Sequence, residues 1–342
     1  MIKSFFWSRK WFLWAYGVGL VLISLSFSLV YLSVLFNQWQ RDFYNIMQTP
    51  KNYTLQDFYG SLERFAWLAA YYILLFMIMN FVARHYTFRW RTAITLNYLP
   101  RWKNVPIKIE GESQRMQEDP AGFADILESL GLKAVNAFMT LVAFMPVLWG
   151  LSNEVKFWIL TDIPGSLVWV ALLISAGGME ITRRVAHWLP RLEYNNQVVE
   201  AAFRKELVLA EEDKASHSNM ETLIGLFTGV KINYFRLYLH YGYVDLWLNM
   251  YNQAMVILPY IIMGSSLMAG MASLGLVIQV SGAFGEVRSS LAVFIDNWTR
   301  VTKLRSIWLR LHEFETNLDI YRDSGQPVEQ FAFPFLLEQR VK

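Results

Sequence analysis

Between Leu189 and Asp213 the chain reads "LPRLEYNNQVVEAAFRKELVLAEED", five glutamates and an aspartate in 25 residues. Carboxylates serve proton chemistry when water is scarce around them, because burial disfavours the charged form and lifts the pKa toward neutrality. At 100° per residue, the seven-residue step from Glu193 to Glu200 and the eleven-residue step from Glu200 to Glu211 each offset by about 20°, in opposite senses. The three acids therefore share one stripe roughly 27 Å long. Leu207 lies on that stripe, whereas Val198, Ala202 and Leu209 face away from it, a pattern that predicts a packed helix. A second reading stays open: Glu200 and Arg204 form an i, i+4 pair worth a few tenths of a kcal/mol, and Glu211, Glu212 and Asp213 make a solvated helix end.

Two further groups carry polar chemistry. Gln114 to Leu132 holds Glu118, Asp119, Asp125 and Glu128. Asp119-Pro120 reads as a helix N-cap followed by proline at the first helical position. Glu128 lies four residues before an apolar run that begins at Leu132, at the mouth of a membrane bundle. Further on, Tyr238, Tyr241, Tyr243, Asp245, Asn249, Tyr251, Asn252 and Gln253 make an otherwise apolar stretch too polar to face lipid all round. Tyr238, Tyr241, Asp245, Asn249 and Asn252 are candidates for lining an aqueous substrate cavity, in which tyrosines and amides adapt to varied ligands and acids favour cations. Polar packing between helices is the other reading.

Other chemistries have little to stand on. There are no cysteines, which excludes disulfides, thiolate nucleophiles and thiolate metal sites. His85, His187, His217, His240 and His312 are widely separated, so no metal is expected. These 342 residues hold no G-x-x-x-x-G-K-[ST], hence no P-loop for ATP. Neither an enzymatic activity, a cofactor nor a nucleic-acid partner is expected.

The elements that position these groups are membrane helices. Hydrophobic residues make up 54% of the chain and charged ones only 17%, which points to a bilayer. Six apolar stretches are expected to span it: Trp11 to Phe36, Phe65 to Ala83, Leu132 to Leu151, Ile163 to Met179, Leu237 to Met263 and Leu267 to Trp298. The last is interrupted by Glu286, Arg288 and Asp296, where Asp296 and Arg300 are expected to pair locally. The first is too long for a cleaved signal peptide and reads as an anchor. Lys3, Arg9 and Lys10 precede it, and segments 84–133 and 182–236 carry eight Lys/Arg each, against sparse basic residues in the intervening loops. Both termini are therefore expected in the cytoplasm, with those two segments projecting inward as helices. The expected fold is all-α and integral to the membrane: one transmembrane domain over 1–320 and a cytoplasmic tail at 321–342.

The blocks "QRMQEDPAGFADILESLGLKAVNAFMTLVAFMPVL" and "LPRLEYNNQVVEAAFRKELVLAEED", with "HYTFRWRTA", "NYFRLYLHY" and "FGEVRSSLAVFIDNWT", closely resemble the SbmA/BacA family of bacterial inner-membrane peptide transporters, over about residues 10–320. The resemblance implies the membrane half of an ABC exporter without its nucleotide-binding domain. It implies a homodimer around a large cavity, importing antimicrobial peptides on the proton gradient through a ladder of glutamates. Carried onto the matching blocks, that ladder is Glu118, Glu128, Glu193, Glu200 and Glu211. The well-known members carry an additional N-terminal membrane segment, whereas this sequence starts at the six-helix core. The alternative is the membrane subunit of an ABC transporter whose ATPase is a separate chain.

Overall fold

The computed structural model describes residues 1–106, 112–154, 163–214 and 219–322, the side chains at 294–295 and 321–322 excepted. His217, Lys156 and all but the first two residues of the expected tail lie outside them. Helices are α1 (Ile2–Phe6), α2 (Gly19–Gln48, entered through a π-helical stretch at Leu13–Val18), α3 (Leu55–Lys103) and α4 (Glu112–Ser152). They continue as α5 (Ser166–Val185), α6 (Leu189–Glu212), α7 (Met220–Met268), α8 (Leu274–Asp296) and α9 (Trp298–Arg322). No strand occurs among the described residues.

Four helical stretches are long and apolar enough to cross a membrane: Leu13–Gln48, Leu55–Lys103, Glu112–Ser152 and Ser166–Glu212. At 1.5 Å per residue, 49-residue α3 is about 73 Å long, more than twice the roughly 30 Å of bilayer hydrocarbon, so helices do run on beyond any span. Only 6% of the most apolar part of α3 is buried within the chain. Its Ile73, Phe76, Met77 and Phe81 are exposed, a surface that demands lipid or protein cover. The expected fifth stretch falls on α7. The expected sixth, Leu267 to Trp298, is not one helix: Leu267 and Met268 end α7, and Gly270, at φ 71°, turns the chain before α8 begins at Leu274. A left-handed turn of that kind is a glycine position, and the apolar composition around it hid the break.

The chain divides into two compact units. The first comprises 1–39, 55–143 and 293–342. Its core is aromatic. Phe5 is fully buried, stacks on Trp90 at 5.5 Å and meets Tyr86 edge-on at 5.3 Å, while Trp90 meets Phe123 at 5.8 Å and Tyr98 meets Phe314 at 5.4 Å. Edge-to-face pairs of this kind add about 0.5–1.5 kcal/mol each beyond the area they bury. Polar groups then stitch α9 along its length to α3 and α4: Arg101 to Asp319 at 2.6 Å, Arg115 to Glu313 at 3.3 Å, Arg310 to Asp119, and Arg300 to Asp125 at 3.3 Å.

The Arg310 pair corrects the reading of Asp119 as an N-cap. Helix α4 starts at Glu112, so Asp119 lies inside it, buried, and its two oxygens accept from Arg310 Nε at 2.9 Å and Nη2 at 2.6 Å. The bidentate fork, not the helix end, satisfies the carboxylate.

The second unit comprises 40–54 and 144–292. Here α6 and α7 pack antiparallel, with Phe203 and Phe227 rings 5.6 Å apart. Pro190 sits in the first turn of α6, where its missing N–H costs nothing. The end of α2 meets the start of α8: Gln48 Oε1 accepts from the Leu274 amide at 2.6 Å and Asn45 Oδ1 from the Gly275 amide at 3.1 Å. Two orphan donors of the first turn of α8 are thus satisfied from another helix.

Candidate functional site

Within the first unit, α3, α4 and α9 line an open cavity of about 530 Å³. Arg84, Thr87 and Arg91 line it from α3, Asp125, Glu128 and Lys133 from α4, and Arg300 from α9. The long helices place these groups just past the apolar runs, where polar side chains meet water. Arg300 donates to Ser129 Oγ at 3.1 Å as well as to Asp125, and Lys133 Nζ donates to Asn297 Oδ1 at 2.6 Å. Asp125 is therefore the paired acid, reached by Arg300 from α9.

Glu128 is the acid held without such a partner. It lies one helical turn outside the apolar run of α4, half-buried, with Oε1 shielded from water and accepting no hydrogen bond. Burial first, and then the neighbouring Asp125 carboxylate, push its carboxyl up to about 7, against the opposing pull of the Thr87 hydroxyl and the Arg300 guanidinium. Near neutral pH the group exchanges a proton with small changes in its surroundings. Of the five ladder residues, Glu118 is exposed on the same helix, and the remaining three belong to the second unit.

In that unit the α6 stripe is only partly packed. Asn196 and Ala210 are buried and Phe203 half-buried, which sets the packed face, while Val198, Ala202 and Leu207 are exposed. The expectation of apolar packing on opposite sides gives way to one packed face against α7. Glu193 and Glu200 are half-buried at its margin, and Glu211 is exposed beside the helix end. Glu193 accepts a hydrogen bond from the Tyr241 hydroxyl of α7, which joins a ladder residue to a residue of the polar α7 group. Of the other α7 candidates, Tyr238, Asp245, Asn249 and Asn252 are exposed.

A set of contacts that sequence reasoning missed lies alongside. Trp247 Nε1 donates to Thr182 Oγ1 of α5 at 2.9 Å, and Trp247 stacks with Tyr251 at 6.0 Å. The Tyr251 ring lies against Gly178, where a Cβ would overlap it, so the absence of a side chain admits the aromatic. Gly177-Gly178 within an apolar helix was the available signal.

Proteins of known sequence set this architecture in context. The chain is 26% identical over 346 residues to the inner membrane ABC transporter ATP-binding protein YddA of Escherichia coli (strain K12), covering 94% of this chain and 60% of that protein. It is 27% identical over 316 residues to ABC transporter D family member 2, chloroplastic, of Arabidopsis thaliana, covering 84% of this chain and 43% of that protein. The chain thus spans less than two thirds of the length of these relatives. Helices long and apolar enough to span a bilayer define a membrane protein. Within that class the sequence profile of the SbmA/BacA-like family matches residues 8–319, and the chain belongs to that family. The resemblance carried by the five sequence blocks is borne out.

Proposed function

We propose that the protein is a secondary transporter that imports peptides, antimicrobial peptides included, across the bacterial inner membrane on the proton gradient, and that it works as a homodimer. The observation that carries the proton step is Glu128, a half-buried carboxyl with an unsatisfied oxygen, beside a charged cavity and tuned to about 7. A carboxyl that is protonated in one transporter state and ionised in the other shifts the balance between the states by its difference in proton affinity. Glu193 with Tyr241, then Glu200 and Glu211, continue the ladder on α6, and the polar side chains of α7 line the route for peptide. The reading assigns the chain no chemical reaction, metal or cofactor.

Six spans with both termini cytoplasmic belong to the same proposal, and the asymmetry of basic residues supports them. Asn52, on the exposed turn before α3, and Asn219, the N-cap of α7, become single reporter sites when changed to Cys in this cysteine-free chain. Loss of the Asn219 cap costs about 1 kcal/mol, which leaves the labelling interpretable. Membrane-impermeant thiol reagent is expected to label Asn52→Cys from outside and Asn219→Cys only after permeabilisation; the reverse pattern refutes the topology.

A second reading is favoured by one observation, that the relatives named above are ABC proteins of which this chain covers 60% or less. In that reading a separate ATPase chain drives transport. Purified protein in liposomes separates the two. With no ATP present, uptake of a labelled cationic peptide is expected when the outside is acidified, and a protonophore is expected to abolish it. Uptake that needs ATP and an added ATPase, and ignores the protonophore, establishes the second reading instead.

A further inference from the structure

Helix α8 carries a cation, Arg288, that has no paired carboxylate among the described residues. On its own helix face the neighbours at i−4, i−3, i+3 and i+4 are Phe284, Gly285, Leu291 and Ala292, and Glu286 points about 160° away around the helix. Across the interface, Arg288 Nη1 donates to Asn252 Oδ1 of α7, and the guanidinium lies 6.0 Å from the Tyr251 ring centroid. Both partners are neutral, and no carboxylate pairs with Arg288 among the described residues.

The two partners are themselves held. Tyr251 is fixed by its fit against Gly178 and its stack on Trp247, which Thr182 anchors. Three helices thus set the guanidinium in place while leaving it half-buried, with Asn252 exposed beside it. A half-buried cation whose partners are neutral keeps N–H groups to offer an anion. The planar fork of free N–H groups matches a carboxylate, which it grips through two parallel hydrogen bonds.

We propose that Arg288 receives the C-terminal carboxylate of the transported peptide, with Asn252 and Tyr251 as positioning residues. The assignment rests on the peptide-transport reading above and gives it an end-specific contact. Its chemistry predicts preference for peptides with a free acid over the same peptides bearing a C-terminal amide.

The test measures uptake of one labelled peptide in both forms by the full-length protein in proteoliposomes. Wild-type protein is expected to take up the free acid roughly 10- to 100-fold better than the amide, the range of a charge-assisted hydrogen-bond pair. Arg288→Gln is expected to lose that preference while transporting the amide within about twofold of wild type, and Arg288→Lys to keep part of it. The amide therefore reports folding within the same experiment. Equal uptake of the two forms by wild type overturns the assignment, and so does an equal loss of both in Arg288→Gln. A preference that vanishes when phosphatidylglycerol is added to phosphatidylethanolamine vesicles assigns Arg288 to lipid phosphate and overturns it as well. Failure of wild type to move either form overturns the peptide-transport reading itself, and this inference falls with it.

Discussion

Replacing Glu128 with glutamine is expected to cut proton-driven uptake at least tenfold and to flatten its dependence on pH around 7, while expression and dimer formation persist. Glutamine keeps the shape and one acceptor but cannot ionise. The wild-type carboxyl is neutral below about 7 and charged above it, because burial and Asp125 outweigh Thr87 and Arg300. Raising the pH around the cavity through that value is therefore expected to discharge the proton and, in the wild type alone, to change the rate. The displacement from the ordinary carboxylate value corresponds to roughly 3 kcal/mol, which partial solvent access reduces to about 1–2, still about a tenfold bias between two states. Uptake measured at fixed gradient across a pH series checks this. Glu118→Gln, at an exposed position of the same helix, is expected to change the rate by less than threefold. Undiminished uptake by Glu128→Gln with an intact pH profile refutes the role.

The largest structural effect is expected nearer the start of the same helix. Arg310→Ala strands the Asp119 carboxylate, whose side chain is only 3% exposed, without either of its two hydrogen bonds. Removal of one member of a buried pair costs about 3–5 kcal/mol, and the partial exposure of Arg310, at 38%, reduces this to about 2–3. Thermal unfolding in detergent is expected to show a marked drop in midpoint, with Arg310→Lys losing less because an ammonium replaces only part of the fork. The double variant Asp119→Ala/Arg310→Ala is expected to recover part of the loss, since it removes the stranded charge. A double variant as unstable as the sum of the singles denies the coupling.

What could be read from sequence follows the range over which each interaction acts. Apolar runs located the first four expected spans within helices, because that signal is local. Asp119 was misread for the same reason: Asp-Pro has a strong local meaning, while its partner lies 191 residues away on α9. The Glu128 environment was half legible. Its distance from Leu132 gave its place at the edge of a span, but the cavity needed Thr87 from α3 and Arg300 from α9. The bond from Tyr241 to Glu193 joins residues 48 apart, and it follows only once α6 and α7 are known to run antiparallel. Arg288 looked like an interruption of an apolar stretch, and only the tertiary structure supplies Asn252 and Tyr251 to hold it.

The junction of α2 and α8 has a mechanical consequence. Asn45 and Gln48 supply the acceptors that the first turn of α8 lacks, and a Cβ on Gly275 would run into the Arg41 carbonyl and the Asn45 side chain. Pulling these helix ends apart bares two amide donors at once, so their separation is the costly motion and rotation about them the cheap one. The junction is a fulcrum. A tilt of about 10° there swings the far end of 23-residue α8, roughly 34 Å away, through about 6 Å. Arg288 rides on that arm about 21 Å from the junction and moves by about 4 Å, so the proposed carboxylate site shifts while the clasped helix ends stay in place.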